Sequence, residues 1–435
     1  MFKKLRLLLF TVLFVYSLSF SVNLELSAEG IYLPETSQIT DRLAVKLFHL
    51  SPNFDFMAEI AFYNDDKYTF YESDYYFDHY FLIENSYVTF RNYDGTIEFG
   101  GGIKDLKDEI DSPYSLFFSS ERISSPYLEA SYSGENMFYT TRWVQLVSES
   151  NKYFETAKSM NYKTYGLKFG DFRFGYQDAL VYDRTFDFYY FLNPMPAYFS
   201  QEIRSFSNTM PWAEKDKNDN TLMGFFFDFD KPTYYIYSQI LVDDLNTNRF
   251  FNPEGTQNPD KIALSGGVKL KTNVGNLGLH GALATQYTFQ PGGGPSYTVY
   301  PENLYDTKVI NYTENYIGYK YGENAASVLI DYEYNYKNWF NFYTSFETVF
   351  SGVKSPTQDT PSVEGTFFLD DDTLEKRFIY TIATDFYFKN FELNVSSDMG
   401  KIQNAIIYDP DQNKFIPSDE EKNIFTINFG LGIKF

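Results

Sequence analysis

The closing stretch of the chain alternates without a break. Phe425, Ile427, Phe429, Leu431, Ile433 and Phe435 hold one parity, and Thr426, Asn428, Gly430, Gly432 and Lys434 hold the other. Successive side chains of a strand point to opposite faces, so this segment has one apolar face and one that is polar or small. A soluble sandwich strand could show the same pattern. An alternating strand that ends on a C-terminal phenylalanine is instead typical of bacterial outer-membrane barrels, and that is the expectation here.

The pattern recurs upstream. Phe378, Tyr380, Ile382, Thr384, Phe386 and Phe388 oppose Thr381, Ala383, Asp385 and Lys389. Phe340, Phe342, Thr344, Phe346 and Phe350 oppose Asn341, Tyr343, Ser345 and Glu347, while Val328, Ile330, Tyr332 and Tyr334 oppose Asp331, Glu333 and Asn335. Aromatics on one face and carboxylates on the other suit a barrel with lipid outside and a wet lumen inside. The lumen is expected to be acidic, lined by Glu59, Asp331, Glu333, Glu347 and Asp385.

Marking every such segment gives about 18 strands, an even number, as a single-chain bacterial barrel requires. They begin near Val22, Arg42, Phe54, Asn85, Thr96, Pro126, Asn136, Asn161, Phe172, Thr221, Pro232, Ile262, Leu277, Ala325, Trp339, Lys376, Phe391 and Asn423. Short connections rich in Gly, Asn, Asp and Pro, such as Gly170-Asp171 and Lys337-Asn338, alternate with long ones, such as 104–125, 182–220 and 290–324. Transmembrane barrels segregate loop lengths in this way, with the turns periplasmic and the long loops extracellular. The chain therefore reads as one antiparallel transmembrane β-barrel over residues 22–435, a monomer in outer-membrane lipid, with its lumen partly plugged by loops. The longest loop, 182–220, carries Pro194, Pro196 and Pro211 among many aromatics, and a loop of that length is expected to be functional or to fold inward.

The N-terminus fits export. Lys3, Lys4 and Arg6 precede a short apolar run, and Ser19 and Ser21 are the small residues that a signal peptidase reads, so residues 1–21 are expected to be a signal peptide. No further apolar run reaches the roughly 20 residues of a membrane-spanning helix. With 36 basic against 58 acidic residues, the net charge of −22 argues against nucleic acid as a partner. The 46 Phe and 40 Tyr argue against disorder.

Catalytic signals are sparse. Cysteine is absent, and His49, His79 and His280 are the three histidines. His280 with Ser265 is the one arrangement that a hydrolase could use, and a lumenal histidine in a polar network is the plainer reading. Gly292-Gly293-Gly294-Pro295 reads as a loop tip. Asp409, Asp411, Asn413 and Glu420 stand at calcium-loop spacing, but Lys414 replaces the turn glycine and strands flank the loop. Asp370-Asp371-Asp372 reads as a solvated acidic run. No catalytic residue, metal or cofactor is expected.

Four stretches in order carry a family resemblance. They are Phe174 through Arg184 (FGYQDALVYDR), Tyr237 through Asp244 (YSQILVDD), Gln286-Tyr287-Thr288, and Gly318 through Ala325 (GYKYGENA). With Lys261 and Gly266-Gly267 between them, the region 172–336 resembles the capsule-assembly Wzi family of outer-membrane barrels. Gln286 departs from that pattern, standing where an acid is usual, and the Trp-Gly element expected after the fifth strand is missing around 104–107. The resemblance implies about eighteen strands and a non-enzymatic, lectin-type surface protein that tethers exported cell-surface polysaccharide. Sugars are held by aromatic faces together with amides, carboxylates and Arg. The candidate ligand-binding residues are therefore Tyr182, Arg184, Tyr198, Gln201, Gln239, Asp243, Asp244 and Tyr287. Gln239 and Asp243 share a parity that should face the lumen or rim, and Arg184 is placed at the same rim as Asp243 and Asp244. A porin with an acidic, cation-preferring lumen is the alternative.

Overall fold

The computed structural model describes residues 22–34, 38–65, 79–119, 124–147, 157–205, 219–290, 297, 317–355, 360–412 and 414–435. The expected signal peptide and the Gly292–Pro295 tip lie outside them. Eighteen strands form one sheet, numbered in chain order. They are β1 (Asn23–Leu33), β2 (Gln38–Leu50), β3 (Phe54–Tyr63), β4 in two pieces (Tyr80–Ile83 and Ser86–Arg91), β5 (Ile97–Asp105) and β6 (Ser124–Ser133). Then come β7 (Met137–Val147), β8 (Lys158–Phe169), β9 (Phe172–Tyr182), β10 (Asn220–Asp230), β11 (Tyr234–Asp244) and β12 (Lys261–Thr272). The last six are β13 (Gly275–Ala284), β14 (Ala325–Tyr336), β15 (Phe340–Ser351), β16 (Glu375–Phe388), β17 (Phe391–Gln403) and β18 (Lys422–Lys434). Each strand pairs antiparallel with the next, and β18 pairs with β1 from Glu25↔Lys434 to Tyr32↔Ile427, so the sheet closes without an edge.

The alternation read from the sequence becomes the two faces of this wall. Phe346, Phe378, Phe425 and Leu431 lie exposed on the outside, as lipid-facing residues of a barrel do. Tight turns join strands at one rim. At Lys337-Asn338 both residues take positive φ (47° and 58°), the pair of conformations that a two-residue type I′ hairpin requires. The start of β1 and the end of β18 lie at this turn rim, which is the periplasmic one for outer-membrane barrels. The first connection at the opposite rim, residues 34–37, is short and breaks the long-loop pattern there, because β2 starts at Gln38 and not near Arg42. β4 is split at Glu84-Asn85, and both pieces pair with β3.

The inward carboxylates do not form an open acidic lining. Arg42 reaches Glu59 and Glu84 at 2.6 Å and Glu29 at 2.9 Å. Arg91 reaches Asp55 and Glu98 at 2.6 Å. Glu347 accepts from the Tyr114 hydroxyl at 2.6 Å and pairs with Lys320 at 3.1 Å, and Asp331 lies 3.0 Å from His280. The expected acidic face is present, and its carboxylates are held by shared partners, Arg42 serving three of them and Arg91 two, so that acidic groups outnumber the cations among them.

Two loops leave the long-loop rim in opposite directions. Residues 106–119, between β5 and β6, enter the lumen as a plug. Of the two expectations for the β9–β10 loop, the inward fold is not the one taken by its described part, residues 183–205 and 219. Its helices α1 (Phe188–Leu192) and α2 (Ala197–Ser205) fold down over the outer face of β7 to β10. Face assignment follows from parity: Leu167, Phe174 and Phe225 are exposed outside, and Lys163, Asp178 and Thr221 share their parities.

Candidate functional site

The plug is built from a segment that no solvated loop would carry. Tyr114, Leu116, Phe117 and Phe118 are buried, and they pack with inward residues of β7 to β15 such as Val144, Met160, Leu241 and Leu329. Each such side chain contributes about 1.5–3 kcal/mol by burial. Polar anchors fix it across the lumen. Gln177 and Gln239 donate to the Asp108 carboxylate at 2.6 and 2.9 Å, and Leu116 N–H donates to Gln239 Oε1 at 2.9 Å. Arg173 donates to the Glu109 carbonyl at 2.8 Å, and Ser112 donates to the Tyr237 hydroxyl at 2.9 Å. Gln239 faces inward, as its parity required, and its amide is shared between the plug and Gln177, to which it donates at 2.7 Å.

On the outer wall the β9–β10 loop forms a flap with its own core of Trp143, Leu180, Tyr182, Tyr190, Phe191 and Ala197. Asp187 caps α1, accepting from Tyr189 N–H at 2.9 Å, and binds Arg204 at 2.6 Å. Arg184 binds Asp187 at 2.6 Å and makes a two-pronged contact to Asp219 at 2.8 and 2.9 Å. The two guanidinium groups hold the Asp187 carboxyl below its usual range despite its burial. Gln201 donates to the Asp219 carbonyl at 2.6 Å and accepts from Thr221. The Tyr182 ring lies under Arg184, 4.2 Å from the guanidinium carbon, and stacks on Tyr190. The strand-end motif from Phe174 to Arg184 therefore builds the flap. Tyr198 lies on the flap's outward surface.

Asp243 points to the inner side of the same rim and pairs with Lys261 at 3.2 Å. It also accepts from Phe289 N–H at 2.9 Å and the Tyr297 hydroxyl at 3.3 Å. The expected grouping of Arg184 with Asp243 and Asp244 does not form, because β9 turns Arg184 into the outer flap while Asp243 stays inside. Asp244 is half-buried, and its carboxylate accepts a 3.4 Å hydrogen bond from Asn258. Tyr287 takes φ 71°, donates its N–H to Glu323 and leaves its ring half-exposed against Phe367. Beneath it, Glu323 also accepts from Gln290 at 3.1 Å and from Ser355 N–H, and Lys354 donates to the Tyr321 and Glu323 carbonyls at 2.8 and 2.6 Å. Burial raises the Glu323 carboxyl and lowers the Lys354 ammonium.

His280 sits in the polar network. Its ring nitrogens meet the Tyr237 hydroxyl at 2.7 Å and Asp331 at 3.0 Å, while Ser265 meets Ser112 at 3.4 Å. Gly267 makes this possible, since a Cβ there would lie 2.6 Å from the histidine ring. In the 409–420 segment, Asp409 accepts from Asp411 and Gln412 within a hairpin turn and Glu420 pairs with Lys422; Asn413 lies outside the described residues. Asp371 binds Asn324 at 2.8 Å and so parts from its acidic neighbours. Among the described residues, no three His, Asp or Glu side chains gather as metal ligands.

Reading by single motifs missed Asp108, Lys163 and Asp178. The signal was available: the outward parities of β8 and β9 run from Phe169, Leu167 and Phe172, Phe174 into Lys163, Asn161 and Asp178, where lipid-facing strands stay apolar.

No protein-family model matches the chain, and no curated protein matches it. Solved structures do. Wzi of Escherichia coli, described as an outer-membrane protein involved in group 1 capsule assembly and a carbohydrate-binding β-barrel, superposes with TM-score 0.56 at 12% identity, covering 95% of this chain and 84% of that one. OccAB4 of Acinetobacter baumannii and OccK1 of Pseudomonas aeruginosa each give TM-score 0.46, at 10% and 7% identity, over 95% of this chain and 98% of theirs. At these identities the likeness concerns the fold, and the two lower scores add nothing to it. A closed antiparallel barrel of 18 strands sharing the fold of an outer-membrane protein places this chain in the outer membrane.

Proposed function

We propose that this barrel is a non-enzymatic surface protein that binds polysaccharide at the cell surface, as the resemblance of its strand ends to the Wzi family implies. The observation that carries the reading is the plug: from β7 to β15 the loop half of the lumen is a packed core with anchored polar groups. A diffusion pore has no use for such a core. Binding then falls to the rim. Of the eight candidates, Tyr182, Arg184, Gln201, Gln239 and Asp243 are committed to internal partners, while Asp244 and Tyr287 are half-buried at the long-loop rim and keep surface there. Tyr287 offers a ring face for a sugar, and Asp244 offers an acceptor for its hydroxyls.

A cation-preferring porin is the second reading. It is favoured by one observation: the inward residues of β17 and β18, including Asn394, Asp398, Thr426 and Asn428, remain half-exposed beside the plug. Planar-bilayer conductance and cell-surface glycan retention separate the two. The binding reading expects little or no conductance, and loss of glycan retention in Tyr287→Ala and Asp244→Ala with insertion intact. A large, stable conductance with unchanged retention would replace it with the porin.

A further inference from the structure

We propose that the flap is an outer-leaflet docking element, with the outward face of α1 and α2 covered by lipid acyl chains. From residue 188 to 203, every exposed side chain is Phe188, Leu192, Pro194, Met195, Tyr198, Phe199 or Ile203. Phe188 is 70% exposed, Leu192 67% and Phe199 52%. Most polar groups face the other way: Asp187, Ser200 and Arg204 are buried toward the barrel, with Arg184 and Gln201 beside them, and the one carboxylate on the helix pair, Glu202, is half-buried. A helix pair over a water-facing wall would be arranged in reverse, with its apolar stripe against the protein.

The wall beneath is also inverted. Lys163 and Asp178 stand opposite each other in the β8–β9 register, outward and buried. Asp178 lies six positions beyond Phe172, the first outward residue after its turn. Phe346 lies six positions beyond Phe340 on β15 and is exposed to the lipid side. At about 3.3 Å per residue and a tilt near 40°, six positions rise roughly 15 Å, inside an apolar band about 25 Å tall. An uncovered ion at that depth would face hydrocarbon. The flap supplies Ala197 N–H to Asp178 at 2.7 Å and two carbonyls to Lys163, and returns an apolar surface in their place. That surface continues the belt of Leu167, Phe174 and Phe225 on the same strands, so its occupant is the one that covers the belt.

The chain has no cysteine, so single-site spin labelling needs no background removal. Leu192→Cys and Phe199→Cys, with Phe346→Cys as the wall reference and Asp411→Cys as the rim reference, are labelled with a nitroxide. They are reconstituted in phosphatidylethanolamine–phosphatidylglycerol vesicles and tested for collision with oxygen and with a water-soluble nickel chelate. Only the heat-modifiable folded band is scored, and Met195→Cys replaces a variant that fails to fold. The expected result is oxygen access and loss of nickel broadening at the flap, as at Phe346. Nickel access like that at Asp411 would overturn the proposal. Shielding from both reagents would overturn it too, because a second copy or another protein would then cover the face.

Discussion

Replacing Lys163 by methionine should release the flap from the wall without opening the barrel. Asn193 and Met195 each precede a proline, which favours extended backbone, and Asn193 has φ −71° and ψ 119°. Carbonyls two residues apart in extended chain point to one side, and here both accept from Lys163 Nζ, at 2.6 and 2.7 Å. Methionine keeps the apolar stem and removes both bonds. Hydrogen bonds to a charged group contribute about 1.5–3 kcal/mol each, so docking should weaken by about 3–5 kcal/mol, allowing for some relaxation of the carbonyls. At about 1.4 kcal/mol per factor of ten, the open flap becomes at least a hundredfold more populated. Hydrogen exchange of the reconstituted protein reads this directly. The helical amides of Asn193 and Ser200, bonded to the Tyr189 and Pro196 carbonyls, should lose protection by about that factor. Ladder amides of β8 and β9 should keep theirs, since the pairing from Phe172↔Phe169 to Tyr182↔Ser159 does not involve the side chain. Unchanged protection in the flap would refute the reasoning, and so would wholesale loss across both strands.

Two further outcomes follow from the plug and from the closing strand. Burial pushes the Glu109 carboxyl up to about 7 from 4.5, with Asp108 adding to the rise and Arg142 and Arg173 opposing it. The docked plug thus holds a proton that a released one gives up, so its stabilisation is full below about pH 4.5 and is lost as pH rises through 7, by at most about 3 kcal/mol and less where water reaches this half-buried group. Conductance in planar bilayers should therefore increase from pH 5 to 8, and Glu109→Gln should flatten the profile; a Gln variant with the same slope would assign the dependence elsewhere. Phe435 exchanges backbone hydrogen bonds with Leu24 at 2.8 and 3.3 Å where β18 meets β1, so its deletion should leave the chain uninserted in the periplasm, and normal surface display of the truncated protein would contradict this.

Period-two alternation made the wall legible, because lipid and lumen impose opposite demands on alternate residues of every strand. It predicted the inward face of Gln239 and the outward face of Phe346. It could not give the partners of the inward charges, since Arg42 meets Glu84 from another strand and Tyr114 meets Glu347 from ten strands away in chain order. Loop direction was harder still. The run Tyr114-Ser115-Leu116-Phe117-Phe118 says that a loop must bury itself, and the aromatics of 186–199 say the same. Which side of the wall each takes depends on what the wall offers, and that is written in strands far from the loop. Arg184 was misplaced for this reason: its position at a strand end was correct, and the face was not.

The two loops share one stretch of wall, and that stretch explains the most unusual strand. On β8 every residue from Lys158 to Thr164 is buried, whereas a barrel strand normally exposes alternate residues to lipid. Odd positions here serve the flap, as Lys163 and Tyr165 do through the carbonyls of residues 193–195. Even positions serve the plug, as Tyr162 does through Gln177 and Phe118. β9 repeats the division, with Gln177 on the plug and Asp178 on the flap. A strand pair covered on both faces behaves as the interior strand of a layered domain, where near-continuous burial is the rule. A binding rim gains from such a base, because loops anchored to a rigid wall lose less freedom when a ligand settles on them. A pore would gain from the reverse, a thin wall around an empty centre. The doubled burial of β8 and β9 thus follows from their place between plug and flap, and under the proposed binding function it gives the rim a rigid base.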